Sequence, residues 1–298
     1  MHSRTSILTR TALGLALGLC MTTAAVAKTS LERLSDTVEK VENQLDARVG
    51  LSLVDTGSDF SWAHRADERF LMNSTIKVLI CGAVLARVDE GAMALADPLP
   101  VRQDDILSYA PVTKEQVGQD MTLGELCYAA LDMSDNTAAN LLLEHLGGPA
   151  SVTRFLRRIG DSVSRSDRYE PALNTGAPGD PQDTTRPVAM SGTLSKLLLG
   201  EALTADSRDQ LVAWMSHGGV TGALLRDDAP ASWHIADKSG SGDTTRNIVA
   251  LITPDDGAPR IVTLYISDAD ADFRTRNAAL KELGAAVIGV IESHQPAP

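Results

Sequence analysis

The chain has 298 residues, 43% hydrophobic and 22% charged, a balance that suits a globular protein and excludes a disordered or fibrous one. Lys and Arg total 27 against 39 Asp and Glu, and the resulting charge of −12 would repel a phosphate backbone or an anionic bilayer, so nucleic acid and membrane surface are excluded as expected partners. Residues 1–27 read as an export signal: Arg4 and Arg10 are its positive end, residues 12–21 are an apolar run too short to span a bilayer, and Ala25-Val26-Ala27 is a small-x-small cleavage site. The mature chain is then expected to start at Lys28 as a secreted, periplasmic protein with no membrane contact after cleavage. A monomer is the default.

Residues 29–44 place Leu31, Leu34, Val38 and Val41 at helical spacing. Residues 48–54 alternate as a half-buried strand, Asp55-Thr56-Gly57-Ser58 is a turn, and residues 60–63 read as the return strand. Residues 74–88 are apolar almost all round and predict a buried helix. Helical spacing recurs over residues 122–131, 136–146, 151–159, 191–199 and 207–215. The stretch from about 161 to 187 is rich in Asp, Pro, Gly and Thr, and a loop this long inside a compact domain is usually functional. Strands follow at residues 233–238, 248–253 and 261–266, then an amphipathic helix at 274–291. This order predicts an α/β (α+β) fold with an antiparallel sheet flanked by helices. The sheet domain is built from both termini, residues 28–72 and 217–298, and an all-helical domain is inserted at 73–216.

Four short motifs can carry chemistry. In Ser74-Thr75-Ile76-Lys77 the ends are three residues apart, about 300° of helical rotation, so hydroxyl and amine share a face. A serine is a weak nucleophile until a neighbour takes its proton, and a buried lysine can, because burial disfavours the ammonium. In Ser134-Asp135-Asn136 the plain reading is a helix N-cap, and the chemical one is a second hydroxyl for proton relay beside a substrate-orienting amide. Glu170 and Asn174, four apart in the long loop, can share a water. In Lys238-Ser239-Gly240-Ser241-Gly242 the glycines let a ligand approach the backbone at a strand end, and the lysine suits a carboxylate. No cofactor is expected, and none of His2, His64, His145, His217, His234 and His294 has zinc-ligand spacing. The G-x-S-x-G of a Ser-His-Asp hydrolase is absent. After cleavage Cys81 and Cys127 remain, as one disulfide or as two buried thiols; a bridge would stabilise by about 4 kcal/mol in the chain-entropy model.

Taken together, in this order, S-x-x-K, S-D-N, E-x-x-x-N and K-S-G resemble the motif set of class A serine β-lactamases over about residues 28–292. Leu224-Leu225-Arg226, Trp233 and Ile235-Ala236-Asp237 before Lys238 add to the likeness. The resemblance implies β-lactam antibiotics as the small-molecule partner and an acyl-enzyme on Ser74. The base for attack would be Lys77, or Glu170 through a water. Ser134 would protonate the leaving nitrogen, and Glu170 with Asn174 would activate the hydrolytic water. The backbone N–H groups of Ser74 and Ser241 would hold the oxyanion. Lys238, Ser239 and Arg246 would bind the substrate carboxylate along the Gly240 edge, Asn136 its side-chain amide, and Tyr109 would line the entrance. Arg168 and Asp183 would pin the long loop, and Cys81 and Cys127 match the disulfide seen in part of the family. Glu170 argues against the rival D-Ala-D-Ala peptidase, whose stable acyl-enzyme needs no water-activating carboxylate, and a β-lactam-sensing domain would need a membrane segment.

Overall fold

The computed structural model describes residues 28–177 and 179–294; the export signal expected at residues 1–27 lies outside them. Helix α1 (Ser30–Leu45) starts at a capping box, in which Thr29 Oγ1 accepts from the Glu32 backbone N–H and the Glu32 carboxylate accepts from Thr29. Strands β1 (Arg48–Asp55) and β2 (Ser61–His64) form the hairpin, and β3 (Phe70–Leu71) leads to the 3-10 turn Asn73–Thr75 and helix α2 (Ile76–Asp89). Next come β4 (Pro98–Pro100), β5 (Asp120–Thr122), α3 (Leu123–Asp132), α4 (Asn136–His145), α5 (Pro149–Arg158) and β6 (Thr184–Thr185). Helices α6 (Pro187–Leu198) and α7 (Ala205–Met215) and the single turn α8 (Leu225–Asp228) precede β7 (His234–Ser241), β8 (Arg246–Thr253), β9 (Arg260–Ser267) and α9 (Phe273–Ser293).

The main sheet is antiparallel with strand order β2-β1-β9-β8-β7. Its two faces follow from alternation along the strands. Val49, Leu51, Leu53, Ile248, Ala250, Ile252, Val262, Leu264 and Ile266 turn to one side and join α1 and α9 in one apolar core. Ala236, Val249, Leu251, Ile261 and Tyr265 turn to the other, where the helical part packs around α2. That helix is buried from Ile76 to Ala86, the all-round burial its composition predicts, and it touches α3, α4, α5 and α7. The fold class is the expected one, antiparallel sheet and flanking helices, with strands drawn from both ends of the chain. No helix among the described residues is long and apolar enough to cross a membrane.

Two local departures matter for the site. Ser74 lies in the 3-10 turn and not in the first turn of α2. Strand β7 continues through Ser241, paired Ser239↔Ile248, Gly240↔Asn247 and Ser241↔Arg246, where the glycines suggested a strand end. Since β7 is the last strand of the sheet, its outer edge keeps backbone groups without a strand partner beside the Asn73–Thr75 turn.

Candidate active site

The Asn73–Thr75 turn and α2 bring Ser74 Oγ to 3.0 Å from Lys77 Nζ. Lys77 is fully buried, yet its amine is surrounded by oxygen: Ser134 O at 2.8 Å, Asn136 Oδ1 at 2.6 Å and Glu170 Oε1 at 3.1 Å. Burial pushes the Lys77 amine below the usual lysine range, against the pull of the Glu170 carboxylate.

The N-cap reading of Ser134-Asp135-Asn136 falls on Asp135, while Ser134 and Asn136 face Lys77. Asp135 is the N-cap of α4: its Oδ1 accepts from Ala138 N, and the carboxylate also accepts from Val112 N, Thr113 N and Thr113 Oγ1. Holding Asp135 this way turns its neighbours toward α2. Ser134, at φ +57, lies between the two lysines, its Oγ 3.4 Å from Lys77 Nζ and 3.0 Å from Lys238 Nζ.

The long loop carries Glu170 to Lys77. Asn174 Nδ2 donates to Glu170 Oε2 at 2.5 Å. Asn140, one turn beyond Asn136 on α4, grips the Glu170 backbone from both sides, its Oδ1 accepting from Glu170 N at 2.9 Å and its Nδ2 donating to Glu170 O at 3.0 Å. The Arg168–Asp183 pair forms as expected, Nε to Oδ2 at 2.6 Å, and Asp183 Oδ1 also accepts from the backbone of Asp167 and Arg168. Asp183 is fully buried, and burial raises its carboxyl above the usual range despite these donors.

Strand β7 forms the opposite wall. Gly240 is required there: a Cβ would stand 3.0 Å from Ser74 N and 2.9 Å from Met72 O. Lys238 is fully buried, and its amine is driven well below the usual range by burial, with Lys77 and Arg246 adding repulsion. Before it, Asp237 meets Arg226 Nη1 and Thr221 Oγ1, each at 2.6 Å. Arg246 donates to Gly240 O and to Asn277 Oδ1, both at 3.0 Å, and lies beneath the Phe273 ring, 5.2 Å from its centroid. Its guanidinium, with no carboxylate partner among the described residues, is pulled down to about 10 by burial and by Arg276.

A cleft of about 320 Å³ opens above these groups. Ser74, Tyr109, Ser134, Asn136, Asn174, Ser239, Gly240, Ser241 and Arg246, all expected in the site, line it. Lys77, Glu170 and Lys238 lie buried beneath. Sequence reasoning missed Val220 and Phe273, which also line the cleft, and Asn140 and Asn277, which hold its walls. None of these belongs to a motif, and nothing in the sequence marked them; in the structure Phe273 stands out as a large apolar residue 55% exposed at the start of a helix.

One expectation is corrected. Cys81 and Cys127 are free thiols, both fully buried, not the disulfide that the resemblance implies. The Cys81 thiol is directed at the Cys127 carbonyl oxygen, Sγ to O 3.8 Å, and burial raises the Cys127 thiol well above its usual range. A native chain starting at Lys28 should thus react negligibly with a thiol reagent, and after denaturation without reductant it should titrate two thiols. Finding none would restore the bridge.

A hydroxyl, a buried amine and a carboxylate linked in steps of about 3 Å under an open strand edge form an acyl-transfer centre, that of a serine hydrolase. The model of the beta-lactamase enzyme family matches residues 33–291. A beta-lactamase of Rhodobacter capsulatus is 59% identical over 291 residues, 98% of this chain and 99% of that protein. Among solved structures, a beta-lactamase from Xanthomonas campestris superimposes with a TM-score of 0.85 at 44% identity, covering 88% of this chain and 99% of that one. An ancestral class A beta-lactamase does so with a TM-score of 0.83 at 47% identity, covering 87% and 99%. The chain belongs to the β-lactamase enzyme family, in class A, and hydrolyses β-lactams through a serine acyl-enzyme, the activity that confers resistance to these antibiotics.

Proposed function

We propose that Ser74 is the acylated serine and that the surrounding groups divide the two half-reactions between them. The single observation that carries this reading is the unbroken path Ser74 Oγ, Lys77 Nζ, Glu170 carboxylate, with contacts of 3.0 and 3.1 Å. In acylation the Ser74 proton passes to Lys77 by the shorter of the two routes, and Oγ bonds to the lactam carbonyl carbon. The C–N bond breaks, and the nitrogen takes a proton through Ser134, which contacts both lysines. The backbone N–H groups of Ser74 and Ser241 hold the oxyanion, at about 3 kcal/mol per donor where such groups have been tested. In deacylation Glu170, oriented by Asn174, takes a proton from water. The resulting hydroxide adds to the ester carbon, the bond to Ser74 Oγ breaks, and that oxygen recovers a proton, so the serine is regenerated.

Lys238, Ser239 and Arg246 bind the substrate carboxylate, Asn136 its side-chain amide, and Tyr109 borders the entrance. Replacing Arg246 by alanine removes a charge-assisted contact worth about 1.5–3 kcal/mol. KM for a carboxylate-bearing substrate should rise by about tenfold or more, with kcat changed far less. Equal loss in kcat and no change in KM would reject the binding role.

The mature enzyme is taken to be an exported, periplasmic monomer with no membrane contact, divided into a sheet domain (28–72 and 217–298) and a helical domain (73–216). The direct test of the reading is peptide mapping after acid quench with a slowly hydrolysed cephalosporin. The adduct is expected on the peptide holding Ser74, and an adduct elsewhere would overturn the assignment.

A further inference from the structure

We propose that Asn73 is a positioning residue for deacylation: its side-chain amide anchors the oxygen end of the Asn174 amide and so holds the nitrogen end on Glu170. The inference rests on the roles given above to Glu170 and Asn174. Asn73 immediately precedes the nucleophile, is fully buried and has φ +48, a left-handed conformation that Asn tolerates better than most residues. Its side chain joins three parts of the chain. Oδ1 accepts from Thr245 Oγ1 and from Asn247 Nδ2, each at 2.8 Å, and Nδ2 donates to Asn174 Oδ1 at 3.2 Å. Asn174 Nδ2 then meets Glu170 Oε2.

The direction of this chain of amides is determined from its far end. Asn247 Nδ2 also lies 2.8 Å from Leu71 O and 3.3 Å from Met72 O, and backbone carbonyls only accept. That end of Asn247 must be its nitrogen, even though its own Oδ1 is left buried without a partner. Asn73 therefore presents oxygen to Asn247 and nitrogen to Asn174. Asn174 turns its oxygen to Asn73 and its nitrogen to the Glu170 carboxylate and, at 3.3 Å, to Pro171 O, both of which need a donor. Two carbonyls beside the nucleophile turn thus fix Asn73, through Asn247, in the orientation that supports the donor Asn174 gives to Glu170 and Pro171 O. The junction has no slack: a Cβ on Gly242 would come within 2.8 Å of Asn174 O and 2.9 Å of Asn73 Nδ2. If residue 73 could only accept, it would meet Asn174 Oδ1 acceptor to acceptor, and Asn174 would be pushed from its contact with Glu170.

The test uses Asn73→Asp, which can only accept, and Asn73→Gly, which deletes the amide while suiting the backbone conformation. Glu170→Gln and Asn174→Ala are the references. With a rapidly hydrolysed penicillin, steady-state kinetics are paired with the fraction of acyl-enzyme seen by intact mass after quench. Both Asn73 variants should lower kcat and KM together, by about tenfold or more, with kcat/KM largely kept and the acyl-enzyme accumulating. Asn174→Ala should reproduce this, and Asn73→Gly added to it should cause no further slowing of deacylation. Loss of kcat/KM without accumulation would mean that Asn73 only shapes the nucleophile turn, and would overturn the inference. Normal deacylation by Asn174→Ala, a change at a half-buried loop position, would overturn it too, whatever the folding of the Asn73 variants. If Glu170→Gln accumulates acyl-enzyme and the Asn73 variants do not, this inference alone fails; if Glu170→Gln does not accumulate it, the reading of Glu170 fails first.

Discussion

Ser74→Ala should be devoid of turnover on a chromogenic cephalosporin, with kcat reduced by about 10⁶-fold, the scale seen when a serine nucleophile is removed. The hydroxyl is small and its site is shaped by other contacts. Lys77 keeps Ser134 O, Asn136 Oδ1 and Glu170 as partners, so the fold loses about 1 kcal/mol of hydrogen bonding at most. The cleft and its cations are unchanged, and the variant should still bind intact substrate, measurable by equilibrium binding without hydrolysis. Residual turnover above about 1% of the parent rate would place the nucleophile elsewhere.

Glu170→Gln should separate the two half-reactions. Glutamine keeps the volume and still offers an oxygen to Asn174 Nδ2, but it cannot take a proton from water. Deacylation is expected to slow by about 10²–10⁴-fold, the range for losing a general base, and an adduct on Ser74 should persist for mass spectrometry after a burst of one equivalent. The same change removes the anion that opposes the burial of Lys77. The amine is then held still further below its usual range, so the rise of acylation rate with pH should shift to lower pH. Breaking one side of a buried ion pair costs about 3–5 kcal/mol if the other charge remains, but Lys77 can escape most of that by becoming neutral. Normal turnover with no adduct would remove Glu170 from the hydrolytic step. Slow acylation with no burst would redirect the first proton transfer from Lys77 to Glu170.

Much of this centre was legible before any coordinates because its chemistry is local. Ser74 and Lys77 are one helical step apart, Glu170 and Asn174 share one loop, and Lys238 to Gly242 are consecutive. Alternation along β1, the short apolar runs of β8 and β9 and the continuous apolar run of α2 likewise announced their burial. What escaped is pairwise and distant. Asn140 matters because the loop folds back onto α4, Asn277 because α9 passes Arg246, and Asn73 because three strands of polar contact end on it. An asparagine in a sequence carries no mark of the carbonyl it will meet. The cysteines failed in the opposite sense, since a matching pair of positions implied a bond that the two free thiols do not make. Glycines after Lys238 suggested an ending, whereas hydrogen bonding to β8 carries the strand on to Ser241.

The strand order has a consequence for how the enzyme comes into being. β1 lies between β2 and β9, so the first long strand to be synthesised finds its second neighbour only when the last strand has been made. A ribosome must release nearly the whole polypeptide before the sheet can close and α9 can seal it. On the export proposed above, that late closure would leave the nascent chain open enough to be threaded through a translocation channel.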